Sequence, residues 1–397
     1  MRIWIVRGEE PDLSAYVDEL FRMWGLAMDE TVGAESLRQP IPNDVAVIIA
    51  DGKTADVHAS ALADYARSGG SVIAFAPEGD FARQAGLDPQ GRKEGRCRLR
   101  LVRPAAGLRG QQLPVPGKVL TYKCEAEPSI WGYVYELGRC GSESPGVIER
   151  SIGDGNLVVF SFDLATGVAL LRQGDPTLAD RPAEGISYPR PERFSVDVGE
   201  TEWGWTPCSD MLARLLVDIV MHYADRPIPL LWQLTEMAPA ILLFSGDEDH
   251  RPVNLDWREM NDLEAMGGTM TLYIVPHHTE MTPEIRRDME NHGHTISVHP
   301  DITKYGDQPV QQQLQALRDE VELFIRTQGG PVRTIRNHAV CWPGYLEMIR
   351  LWAVNWASVW TATSSRGDWI RRRRGTGRLT GCGGRPFRAA LSILTAA

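Results

Sequence analysis

Apolar residues along the first 75 positions alternate between two spacings. The run RIWIV, residues 2–6, reads as a strand, and Leu13, Tyr16, Val17, Leu20, Phe21 and Trp24 then share one face at helical spacing. DVAVIIA, from Asp44 to Ala50, is apolar without interruption, the pattern of a parallel strand covered on both sides. A second helix is expected from about Ala55 to Arg67, closed by Gly69 and Gly70 where a left-handed cap fits, and SVIAF is the next strand. The order so far is βαβαβ. Between Arg92 and Cys140 the spacing turns irregular and strand-like, and residues 147–152 and 157–162 then flank GDGN, a hairpin turn.

From Gly174 to Gly204 the chain is rich in proline, glycine and charge, which predicts a connection stiffened by Pro182, Pro189 and Pro191. Ser209 is placed to cap a helix running to about Tyr223. After Pro239 the spacings alternate again. AILLF is followed by a helix through Trp257, Met260, Leu263 and Met266, and MTLYIV by a helix that Thr282 and Pro283 start. TISVH, a long helix carrying Leu314, Leu317, Val321 and Phe324, the strand VRTI and a helix from about Tyr345 to Trp352 complete the series. Repeated β-then-α units imply parallel strands with helices outside them, as an open sheet or as a barrel.

A chain of 397 residues exceeds what one hydrophobic core usually serves, and 43% hydrophobic content supplies two. The boundaries read as a first domain over 1–173, a linker and bridging helix over 174–230, a second domain over 231–363 and an atypical basic tail over 364–397. That tail holds eight of the 42 basic residues and no histidine. A formal charge of -10 argues against a nucleic-acid partner, which selects for a clustered basic excess. Met1 leads straight into the first strand, and no segment has the length of a membrane span, so a cytoplasmic protein without a membrane partner is expected. A homo-oligomer stays compatible with the sequence. The six cysteines are scattered with no CxxC pair, which excludes a zinc ribbon and a dense disulfide framework.

The polar residues change the picture from fold to chemistry. SGDEDH, PHH, HPD and RNH each follow one strand of the second domain, and seven of the nine histidines lie between His250 and His338. In α/β barrels the C-terminal strand ends meet around one pocket, and imidazole is the commonest metal ligand. Asp247 and Asp249, two apart at a strand end, would point the same way and leave Glu248 opposite. His277 and His278 are adjacent, so one of the two is expected to face the pocket, and His277 is taken as the substrate-contacting one. Trp342, directly after RNH, is a second substrate-contact candidate. His292 and His294 flank Gly293 and read as a helix-dipole partner and a packing residue.

On these residues the second domain resembles the polysaccharide deacetylase family, metal-dependent carbohydrate esterases with a distorted (β/α) barrel. FSGDED (244–249) stands where the family has an Asp-Asp pair, GHTISVH (293–299) matches its Gly-His-x-Ile-x-x-His motif, and Arg336 stands where it has an arginine after the next strand. The resemblance implies Asp247 as base, Arg336 as the residue orienting it, and Asp249 and His299 as ligands of a divalent metal, for which zinc suits the donor set. Base and ligand can be exchanged between the two aspartates. The family's second metal histidine falls on Thr303, so His338 is expected to take that place, and the late histidine that would protonate the leaving amine has no counterpart after Thr363. The implied function is hydrolysis of an amide on an N-acylated carbohydrate or related small molecule. The alternative is a carbohydrate-binding or interaction protein with impaired catalysis, and the barrel is expected to be truncated.

The first domain resembles the class I glutamine amidotransferase-like flavodoxin fold through its element order and DYARSGGSVIAFAP. IIADGKT carries no cysteine nucleophile, and His58 is the one histidine before His222. The resemblance therefore implies a scaffold or ligand-binding module.

Overall fold

Strand β1 (Arg2–Arg7) turns Ile3 and Ile5 to one face of a sheet and Trp4 and Val6 to the other, and all four are buried. The structure is a computed structural model that describes residues 1–8, 14–26, 29–93, 95–103, 112–125, 127–180, 185–199, 207–224, 226–231, 240–249, 251–355 and 360–361. Leu13, Pro182, His250 and the basic tail over 364–397 lie outside the described residues. The chain divides into two compact units, residues 1–174 with 196–235, and residues 175–195 with 236–397.

In the first unit β2 (Asp29–Gly33), β3 (Val45–Asp51) and β4 (Ser71–Phe75) join β1 in parallel pairs. They are followed by β5 (Leu87–Lys93), β6 (Cys97–Leu101), β7 (Gln112–Val115), β8 (Val119–Cys124), β9 (Ser129–Glu136), β10 (Ser144–Ile152) and β11 (Gly155–Phe160). Nine of these strands form one sheet in the order β2-β1-β3-β4-β11-β10-β9-β6-β7, while β5 and β8 pair separately. The half from β2 to β11 is parallel and the rest antiparallel, so the parallel flavodoxin-like expectation describes one half of a mixed α/β sheet.

The uninterrupted apolar run of β3 now has its reason. Val47 and Ile49 share a core with α1 (Ser14–Met23), α5 (Leu164–Gln173) and α6 (Cys208–Tyr223), while Ile48 and Ala50 share another with α3 (Ala59–Arg67) and the helix α4 (Asp80–Gln84). Alternate residues serve opposite cores, so both sets must be apolar. The helix expected from Ala55 is two helices, because the chain breaks at His58 between α2 (Gly52–Val57) and α3, and Asp51 caps the first by accepting the Thr54 N–H at 3.0 Å. GDGN closes the β10–β11 hairpin, with Gly153 at φ 58. Helix α6 begins on Pro207 with no side-chain cap, so Ser209 lies inside its first turn.

The second unit holds β12 (Phe244–Asp247), β13 (Met270–Ile274), β14 (Thr295–Val298), β15 (Thr334–Ile335) and β16 (Trp360–Thr361), parallel and in sequence order, as in half of a barrel. Helices α7 (Val253–Glu264), α8 (Pro283–Asn291), α9 (Val310–Gln328) and α10 (Glu347–Asn355) separate or follow them. Met260, Leu272, Ile274, Met289, Val298, Val321 and Phe324 make the core. Among the described residues β12 and β16 are open edges of this sheet. The strand expected over AILLF begins at its last residue, Phe244; β12 pairs on one side only, and Leu242, Leu243 and Phe244 are exposed. Residues 175–195, expected within the connection, fold onto this unit. Pro189 accepts the Trp342 N–H at 2.9 Å, Asp180 accepts the Gly344 N–H at 2.7 Å, and Phe194 packs edge-on against Tyr345. No described helix is long and apolar enough to cross a membrane.

Phe160 is fully buried between Phe75 and Phe162, with ring centroids 5.5 and 5.6 Å away. Phe160→Ala is expected to destabilise the first unit by about 3–5 kcal/mol through lost transfer energy and a residual cavity. Urea unfolding measures it, and a loss under about 1 kcal/mol would remove this ring from the packed centre.

Candidate metal centre

Parallel register brings the strand ends of the second unit into one row. Asp247 pairs with Tyr273, Ile274 with Val298, and Val298 with Ile335. Ladder bonds then run one step past the strands, from Glu248 N–H to the Tyr273 carbonyl (2.9 Å), His299 N–H to the Ile274 carbonyl (2.8 Å) and Arg336 N–H to the Val298 carbonyl (3.3 Å). These bonds hold the chemistry-bearing residues in sheet-like positions although they lie beyond the strands.

Asp249, His299 and His338 offer ligand atoms that all lie within 4.8 Å of one another. His299 Nε2 is 3.3 Å from Asp249 Oδ1 and 3.2 Å from His338 Nδ1, which is itself 3.2 Å from the same Asp249 oxygen. His299 is 2% exposed, and its Nδ1 lies 2.6 Å from the Arg336 carbonyl. A carbonyl only accepts, so Nδ1 carries a proton and Nε2 is the ring atom that faces the cluster, the one that would ligate a metal. The hydrogen bond to His299, with the charges of both histidines, holds the Asp249 carboxyl below its ordinary range. Two imidazoles and a carboxylate suit a borderline divalent ion, and the donor atoms sit close enough to share one.

Asp247 stands beside this group rather than in it, with Oδ2 3.9 Å from His299 Nε2. Its Oδ1 accepts from Arg336 at 2.7 Å, and the same guanidinium donates to Ser245 Oγ at 2.6 Å and stacks over the Tyr273 ring at 4.6 Å. The arginine is thus fixed by three neighbours and leaves one Asp247 oxygen facing His299. Glu248 points away into the protein, 1% exposed, accepting the Val275 N–H.

Backbone strain presents two of the candidate ligands. Asp249 has φ 44, and Ala339 and Val340, after His338, have φ 51 and 55. Aspartate tolerates the left-handed region, whereas a β-branched valine there is an outlier that the surroundings must enforce. Arg251 holds the first turn, its N–H and Nε both on the Glu248 carbonyl and its guanidinium on Asp256 at 2.8 Å. Asn337, 1% exposed, holds the second through the Cys341 carbonyl at 2.6 Å.

Other expected residues lie elsewhere. Thr303, at the position of the family's second histidine, donates to Asp301 from both its N–H (3.0 Å) and its hydroxyl (2.6 Å). Trp342 is 5% exposed in the core with its indole N–H on the Tyr345 carbonyl, a burial that sets it apart from the substrate-contacting position expected for it. His277 pairs through Nδ1 with Glu320 Oε2 at 2.9 Å. His292 and His294 both bind Glu264, at 3.1 and 2.9 Å, and His294 Nδ1 accepts the Met270 N–H, so the two join α7 to α8 and β13. Sequence reasoning passed over Ser245, Tyr273, Asp301 and Glu320. Asp301 alone had a signal, in its place two residues after His299.

No protein-family model and no curated protein matches the chain. Solved structures similar to part of it include a β-galactosidase from Bacillus circulans sp. alkalophilus, at 10% identity and TM-score 0.33 over 40% of this chain and 28% of that one. The carbohydrate deacetylase Agd3 follows at 11% and 0.35 over 43% and 31% of the two chains. A cytoplasmic protein from Salmonella typhimurium LT2 gives 13% and 0.32 over 41% and 88%. The chain thus spans under a third of the two enzymes' lengths, and TM-scores of this size carry no argument. What the site can do is decided by its own residues.

Behind Asp249, burial raises the Asp256 carboxyl to about 6, against the pull of Arg251 and with Glu248 and Glu259 adding to the rise. A carboxyl whose folded value exceeds its unfolded one binds more protons when folded, so its contribution is largest below the unfolded value and is lost as pH rises through about 6. Asp256→Asn removes this dependence. Relative to wild type, the variant is expected to gain stability between about pH 4 and about pH 6.5 in urea titrations of metal-free protein, and the opposite slope would refute the assignment.

Proposed function

We propose that the second unit is a metal-dependent amide hydrolase acting on an N-acylated carbohydrate or related small molecule. One observation carries this reading: three ligand atoms from three separate strand ends share one small volume, directly beside a carboxylate clamped by an arginine. A structural ion pair needs no such third strand.

Asp249, His299 and His338 would hold the ion, for which we propose zinc. Bound there, a divalent ion would polarise the acyl carbonyl and acidify the attacking water. Asp247 takes the proton from that water, and Arg336 aims its carboxylate. The Arg336 carbonyl keeps His299 in the tautomer that presents Nε2. The alternative reading, binding without turnover, is favoured by Thr303, which serves Asp301 in place of a fourth protein ligand.

Metal analysis of the purified protein is expected to give one ion per chain, lost in His299→Ala and Asp249→Ala. Asp247→Asn should keep the ion but lower acetate release from N-acetylated oligosaccharides by about 10²-fold or more. Stoichiometric metal surviving both ligand substitutions would overturn the centre, and metal without acetate release in wild type would select the binding reading.

A further inference from the structure

Amide hydrolysis needs a proton on the departing nitrogen as well as a base for water, because an unprotonated amide anion is too poor a leaving group. Asp247 accepts a proton and Arg336 is committed to it, so neither supplies one. Among the described residues the row of strand ends contains one further histidine pair, His277 and His278, beyond β13 and between the ends of β12 and β14.

His277 is built like an oriented proton donor. Its Nδ1 rests 2.9 Å from Glu320 Oε2, on α9, and Glu320 is itself largely buried. That bond fixes the orientation of the ring, in the manner of a carboxylate behind a catalytic imidazole. The ring remains partly exposed, and its Nε2 makes no hydrogen bond to a described residue. His278 lies against it with centroids 4.4 Å apart. Asp301, from the loop after β14, and Lys304 are charged groups beside His277 and Glu320.

We propose that His277 is a catalytic residue that donates its Nε2 proton to the departing amine nitrogen, with Glu320 as its positioning residue. The inference rests on the hydrolase reading. Water oxygen bonds to the acyl carbon as Asp247 takes one water proton. The carbon–nitrogen bond then breaks, its electron pair stays on nitrogen, and the His277 proton completes the amine. The products are the carboxylic acid and the amine; solvent afterwards reprotonates His277 and receives the proton from Asp247.

The test separates leaving groups. Tri-N-acetylchitotriose requires a protonated leaving nitrogen, whereas 4-nitrophenyl acetate releases a phenolate that needs none. In His277→Ala and in the size-conserving His277→Gln, the ratio of amide to ester turnover is expected to fall about 10²-fold or more, with bound metal unchanged. Glu320→Gln should lower the same ratio by less, a selectivity that general loss of structure would not produce. A ratio unchanged within about threefold in both His277 variants, or equal loss on both substrates with metal retained, overturns the donor assignment while wild-type turnover keeps the hydrolase reading. A metal-loaded wild type that turns over neither substrate overturns that reading and this inference with it.

Discussion

One hydrogen bond, from His299 Nδ1 to the Arg336 carbonyl, ties the two functions of the site together. It fixes the ring that faces the ligand cluster, and it does so through the residue whose side chain grips Asp247. Backbone and side chain of Arg336 therefore serve different partners at once. The arrangement depends on the register of β14 against β15, a contact with one registered pair, Val298 with Ile335. A slip of two residues along a strand displaces the chain by roughly 6–7 Å, enough to separate the ring from its carbonyl and the guanidinium from its carboxylate together.

The left-handed residues Asp249, Ala339 and Val340 cost on the order of 1–3 kcal/mol each in backbone strain. They persist because covered groups hold the turns from behind, Arg251 with Glu248 and Asp256 on one side and Asn337 on the other. The polar layer beneath the site is thus a brace for two loops rather than a second reactive centre.

Much of this was legible from residue spacing. The row of polar strand ends follows from β-then-α repeats, and the displacement of Thr303 by His338 follows from a gap in a motif. What escaped depended on contacts distant in the sequence. Glu320 meets His277 across 43 residues, and Arg336 reaches Ser245 across 91, through the fold of α9 and the sheet register respectively. AILLF read as a strand over its whole length, whereas the strand starts at Phe244, because composition does not reveal an edge. His292 and His294 read as local features of a helix end, whereas Glu264 on α7 binds both. Continuous apolar runs predicted two-sided burial in the first unit, yet gave no sign that its sheet would turn antiparallel after β11.

The division of the chain into interleaved rather than consecutive units bears on how the protein is made. Helix α6 fills one face of the first sheet with Leu212, Leu215, Leu216 and Ile219, but it is encoded after residues 175–195, which belong to the second unit. In order of synthesis a piece of its neighbour precedes that sheet's last helix. A gene cut at Gly174 would remove α6 from a face it shares with α1 and α5, and no single cut yields both units whole.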